Sequence, residues 1–109
     1  MKQRKIPETP YDEVIGDVCG HGWRQSPESD IDGAMGVAIA LAVAHGVKAD
    51  LVDLSDHLNI AFTLLKRPFE RMSLAGVFKN GMIEQEKDEV KGGDEKTLCY
   101  YAAYASGHM

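Results

Sequence analysis

Residues Ala34 to Ala44 read Ala-Met-Gly-Val-Ala-Ile-Ala-Leu-Ala-Val-Ala, eleven positions without a polar side chain. No other stretch limits the fold as much. A bilayer span needs roughly 20 apolar residues, so the run is too short for one. It is rich in Ala and Gly, which suits a helix whose small residues let neighbouring backbones come close. Ile31, Met35, Ala38, Ile39, Leu41 and Ala42 form a wide apolar surface at helical spacing, and Ala or Gly fills most of the remainder. The reading is a helix buried on more than one side. Gly33 and Gly36 each cost about 1 kcal/mol of helix propensity relative to Ala, which packing must offset. The helix starts at Ser26-Pro27 or Ser29-Asp30. It ends near His45-Gly46, where Gly can take the left-handed cap position.

A chain of 109 residues is one domain. It divides into a flexible basic arm at 1–8 (Lys2, Arg4, Lys5), a single domain at 9–105 and a tail at 106–109. The final Ser-Gly-His-Met resembles a cloning remnant. A net charge of −5 argues against a general nucleic-acid binder, which is usually basic over its whole surface. Cys19 and Cys99 are far apart and form no CxxC pair, so they read as free thiols in a reducing cytoplasm. The basic start "MKQRKIPETP" has no apolar stretch after it, so no signal peptide is expected. The expected location is cytoplasmic, with no membrane partner.

Thr9-Pro10 is a good helix start, with a capping hydroxyl and a proline at the first helical position. Tyr11, Val14, Ile15 and Val18 continue at helical spacing, predicting a helix over 10–19 that Gly20 and Gly22 end. "HGWRQSPES" is a loop. Asp50 is an N-cap for a third helix at 51–58, with Leu51, Leu54 and Leu58 on one face. Asn59 can take the left-handed turn, Ile60 plugs the corner, and a fourth helix ends near Ala75-Gly76. Beyond it, Asn80-Gly81 and Gly92-Gly93 are turn dipeptides of hairpin type. "TLCYYAAYA" reads as a strand or a short helix. The order predicts an α+β, mainly helical fold with an extra N-terminal helix and a C-terminal β-hairpin that has Gly92-Gly93 at its tip.

The stretch "LVDLSDHLNIAFTLLKRPFERMSLAGVF" resembles the winged helix-turn-helix of bacterial transcription regulators, most closely the Rrf2 type and more loosely the MarR type. Leu54-Ser55, Leu58, Asn59, Ile60, Leu65, Phe69, Met72 and Ala75-Gly76-Val77-Phe78 carry the likeness, which covers about residues 31–81. It implies a sequence-specific DNA-binding transcription regulator whose reading helix lies around 61–75. Thr63, Lys66 and Arg67 would then reach base edges, while Arg71 and Lys79 hold phosphates. It also implies a homodimer on double-stranded DNA, formed through helix 10–19 or the segment of Tyr100, Tyr101 and Tyr104.

Three features depart from that pattern. Pro68 lies inside the reading helix, so the helix is either kinked or begins near Lys66. Residues 84–96 carry six acids against three lysines, where a wing on phosphates should be basic. Cys99 has no companion cysteines, so no iron–sulfur cofactor is expected. The acids Asp50, Asp53 and Asp56 would also repel phosphates. These points favour the alternative, a winged-helix protein–protein interaction module such as a small phage or plasmid protein that grips a host protein. Cys19 and His21 lack two further ligands for a metal site, and no nucleophile arrangement or phosphate loop stands out. Neither an enzyme nor a metal protein is expected.

Overall fold

The structure is a computed structural model. It describes residues 6–83 and 85–108, with the side chain of Ser29 excepted. The basic arm at Lys2, Arg4 and Lys5, and the acid Glu84, lie outside the described residues.

The central element is a helix at Glu28–Ala44. It is preceded by α1 at Asp12–Cys19 and a 3₁₀ turn at Trp23–Gln25, so the central helix is α2. After it come α3 at Leu51–Leu58, α4 at Phe62–Leu74, α5 at Lys87–Lys91 and α6 at Glu95–Ser106. Every residue of α2 from Ile31 to Ala44 is buried. The other helices and the 3₁₀ turn all pack on it, with α6 and α4 covering the most. None of the helices is long and apolar enough to cross a membrane.

Small residues set how close these neighbours come. A Cβ added at Gly36 would fall on the Ala105 methyl and lie 3.1 Å from the Tyr101 carbonyl oxygen. One at Gly33 would meet the Ala102 carbonyl oxygen at 3.4 Å. The two glycines are therefore the seam on which α6 rests. That contact offsets their poor helix propensity.

Local signals fix several boundaries. Gly46, at φ +106, closes α2, and the Val47 amide donates to the Ala42 carbonyl. Asp50 caps α3, accepting from the amides of Val52 and Asp53. Asn59 is left-handed at φ 55. The Ser55 hydroxyl donates to the Ile60 carbonyl at 2.6 Å, so Ser55 braces the turn between α3 and α4 as well as being small. Ile60 is buried beneath that turn. Leu65 and Met72 seat α4 on the core, and Phe69 stacks on Phe78 at 5.3 Å between ring centroids. Trp23 is buried against the core, under the Arg24 guanidinium 4.3 Å above its ring.

One sequence expectation is corrected, and one of two alternatives is excluded. The α+β winged helix with a C-terminal β-hairpin is absent: the described residues contain no β-strand, only an isolated antiparallel bridge between Lys79 and Met82. Asn80-Gly81 does form a tight turn, with both residues at positive φ, but pairing stops at that bridge. Gly92 instead caps the end of α5. Gly93, at φ +78, redirects the chain into Asp94. The Asp94 carboxylate accepts from the amides of Lys96 and Thr97 and starts α6. Thus "TLCYYAAYA" is helical, with alanines supplying propensity and Leu98, Tyr101 and Ala105 facing the core. Of the two readings of Pro68, the start near Lys66 is excluded: α4 begins at Phe62 and keeps Pro68 in its interior. A late start would have left Ile60–Leu65 as an extended or 3₁₀ turn, but only Ile60 and Ala61 precede the helix. Pro68 has no N–H, so the Leu64 carbonyl loses its helical donor, a cost borne by the packing of buried Leu65, Pro68 and Met72.

Arg24 ties down the N-terminal segment. Its guanidinium donates to the carbonyls of Ile6 and Pro7, each at 3.3 Å, and to Asp12 at 2.7 Å. Partial burial alone would raise the Asp12 carboxyl. Hydrogen bonds from Arg24 and Thr9, with the Arg24 charge, outweigh it and hold the group below its usual value. A depressed carboxyl stabilises the fold above its unfolded value, about 3.9, and the gain is lost as pH falls through the folded value. The melting temperature should therefore drop in acid between about pH 5 and pH 2, and Asp12→Asn should flatten part of that drop in a pH series of thermal melts. Gly36→Ala should destabilise by about 1–3 kcal/mol through overpacking, despite the helix-propensity gain of about 1 kcal/mol. Urea denaturation reads the sign: a stabilised variant would mean the seam with α6 is not tight.

Candidate functional site

The helix-turn-helix segment is where sequence reasoning concentrated its candidates, and α3, the Asn59–Ala61 turn and α4 are all present. Arg67 and Arg71 are four residues apart, so they share one face of α4. That face meets Asp32, whose side chain is 7% exposed. Arg67 Nε donates to Asp32 Oδ2 at 2.8 Å, and its Nη2 lies 3.1 Å from Glu28 Oε1. Arg71 Nη1 lies 3.3 Å from the same Asp32 oxygen and donates to the Ala105 carbonyl at 3.1 Å. One carboxylate thus gathers two guanidiniums, and Arg71 extends the knot from α2 to the end of α6. The hydrogen bonds from Arg67 to Asp32 and Glu28 raise the guanidinium pKa further and keep it charged.

Thr63 and Lys66 are exposed on α4. With Glu28, Asp32, Arg67 and Glu70 they border a polar depression of about 620 Å³. The charges around it are mixed, with the three acids Glu28, Asp32 and Glu70 outnumbering the two bases Lys66 and Arg67. Lys79 is apart from this group. It sits at the Asn80-Gly81 turn and borders a different depression, with Tyr100, Tyr101 and Tyr104. The five expected DNA contacts therefore divide in three: Thr63 and Lys66 face solvent, Arg67 and Arg71 are bound to Asp32, and Lys79 stands elsewhere.

A third depression, of about 500 Å³, lies over the turn itself, between Val52, Ser55 and Asp56 of α3 and Ala61 and Phe62 at the start of α4. Val52 is 66% exposed and Phe62 44% exposed. Asp53 and Asp56 are exposed on the same helix as Val52. The sequence pattern put Leu54 and Leu58 inward correctly, but gave no weight to Val52 or Phe62. Asp32 was also missed. Its signal was available: an acid at the head of the most apolar helix needs a cationic partner.

The remaining reactive groups show no activation. Burial, with smaller effects from Cys99 and Asp30, pushes the Cys19 thiol up to about 11, the reverse of a reactive cysteine. His21 is exposed and 3.5 Å from Asp17. Among the described residues no group of three or more His, Cys, Asp or Glu side chains is arranged to hold a metal ion. Tyr11 and His57 share a hydrogen bond of 3.1 Å that joins α3 to the residue before α1.

Comparison with protein-family models, curated proteins and solved structures finds no match to this chain in any of the three.

If the Asp32 knot holds the helices together, Asp32→Ala should destabilise by about 1.5–3 kcal/mol, the range for charge-assisted hydrogen bonds. Arg67→Ala, whose side chain is half exposed, should cost under about 1 kcal/mol. A double-mutant cycle of Asp32 with Arg71 should show coupling of about 0.5 kcal/mol or more. Additive effects would mean the pair is incidental.

Proposed function

We propose that this domain is a protein-interaction module whose docking face is the groove over the α3–α4 turn. The observation that carries the reading is the fate of the two arginines. On a DNA-reading helix they would be free for phosphates and base edges; here both are engaged by Asp32. The net charge of −5 and the exposed acids of α3 add repulsion toward a polyanion. The same features suit a cationic peptide or helix. Val52 and Phe62 supply exposed apolar anchors, the kind of surface that dominates protein interfaces. Asp53 and Asp56 beside them select lysine or arginine flanks by charge complementarity. The partner that fits is a segment with one or two large apolar side chains between basic residues.

The test is selection of random displayed peptides on the immobilised domain, with Phe62→Ser as the counter-target. Selected peptides should combine an aromatic or aliphatic anchor with Lys or Arg, and should lose about tenfold or more in affinity on Phe62→Ser, as hot-spot residues do. In parallel, a mixed-sequence DNA duplex should give no change in fluorescence anisotropy at low salt. Duplex binding that weakens steeply with salt, or selected peptides indifferent to Phe62, would overturn the reading.

A further inference from the structure

The depression beside Lys79 is unlike the other two. It occupies about 520 Å³ where the segment after α4 meets α6, and three tyrosines of α6 border it, with Val77, Glu86 and Lys79 completing its apolar and charged lining. Tyr100 and Tyr104 are one helical turn apart, and Tyr101 stands beside them. Tyr101 is nearly buried, Tyr104 half-buried and Tyr100 47% exposed, so the three tyrosines border the depression at graded depths. The rings of Tyr101 and Tyr104 are 6.3 Å apart and inclined at 51°, not stacked flat on one another. Glu86 holds a left-handed backbone, φ 58, that non-glycine residues seldom adopt. Burial, then the negative charge of Glu86, raises the Tyr101 hydroxyl pKa, so that ring stays neutral.

We propose that this depression binds a quaternary ammonium group. Ring faces carry a negative quadrupole that attracts cations, and quaternary ammonium recognition by aromatic side chains follows from it. The Glu86 carboxylate adds a full negative charge to the same lining. The ligand's methyl groups pack on Val77 and the rings. Having no N–H, such a cation needs no acceptor, and it is desolvated more easily than a primary ammonium. An anion would meet three tyrosines and a carboxylate. A neutral isostere would keep the methyl packing but gain nothing from the quadrupole or from the carboxylate charge. Among the described residues that border it, Lys79 is the one like charge, and it gives the proposal a test of sign.

The experiment is an NMR titration of the full chain with tetramethylammonium, choline, a trimethyllysine peptide and 3,3-dimethylbutan-1-ol, the uncharged isostere of choline. The three cations should shift the backbone resonances of Gly76, Tyr100 and Tyr104 saturably, and the alcohol should bind about tenfold more weakly or not at all. Tighter binding of the peptide than of choline identifies a modified protein as the source of the cation. The reverse order identifies a free metabolite, and either order supports the site. Tyr100→Leu should weaken choline binding about two- to fivefold, the span of an exposed cation–π contact, and Glu86→Gln should weaken it through loss of the carboxylate charge. Lys79→Gln should tighten it. Tyr100 is exposed enough that its loss leaves the core intact. Equal binding of choline and the alcohol, no saturable shift with any cation, or weaker binding by Lys79→Gln would overturn the proposal.

Discussion

A helix without a solvent face has to be enclosed, and that requirement on α2 places every other element of this fold. From Ile31 to Ala44 the helix is buried throughout and, apart from Asp32, offers its neighbours only apolar and small side chains. Burying an apolar side chain stabilises by about 1.5–3 kcal/mol, so no arrangement that leaves one side of α2 wet can compete. The chain meets the demand by wrapping: α1 and the 3₁₀ turn come from before it, and α3 through α6 from after it. Gly33 and Gly36 let α6 come closest, because a larger side chain there would strike the α6 backbone.

The one polar member of that buried stretch is Asp32, and its needs organise the N-terminal end of α2. A carboxylate taken out of water requires paired and hydrogen-bonded partners. Arg67 and Arg71 supply them from a single face of α4, and the second arginine also reaches the Ala105 carbonyl. The knot therefore fixes the position of α4 relative to both α2 and α6. It also changes what the surface of α4 can do, because its strongest cations have their charge balanced internally. The pair α3 and α4 keeps its packing on α2, and the outer face of α4 is that of Phe62, Thr63 and Lys66.

The sequence made some elements readable and concealed others for identifiable reasons. The third helix was legible because Asp50, Leu54, Leu58 and Asn59 all indicate the same boundaries, and the structure caps and ends it at those residues. The segment after Asn80 was not. Gly92-Gly93 is compatible both with a hairpin tip and with a helix end followed by a helix start. What decides is Asp94, whose cap bonds launch α6, and the apolar seam of α2 waiting for Leu98 and Ala105. Long-range packing thus overrode the strand propensity of the tyrosines. Pro68 was read as a kink or a start because an isolated helix would not hold it. It is held by its burial with Leu65 and Met72 on the core face of α4. For the site, the positions of Arg67 and Arg71 were legible, but their partner lies thirty-five and thirty-nine residues away in sequence. No local spacing reveals such a pair.

The enclosure of α2 has a consequence for how the chain is made. Synthesis proceeds from the N terminus, so the most apolar helix emerges before α4 and α6, the helices that cover it most. During that interval its face is open to water and to other unfinished chains, a state prone to aggregation. Alanine and glycine soften the hazard, since they present less sticky surface than a run of leucine or valine would. The small side chains that allow α6 to dock closely also make the wait for α6 less dangerous.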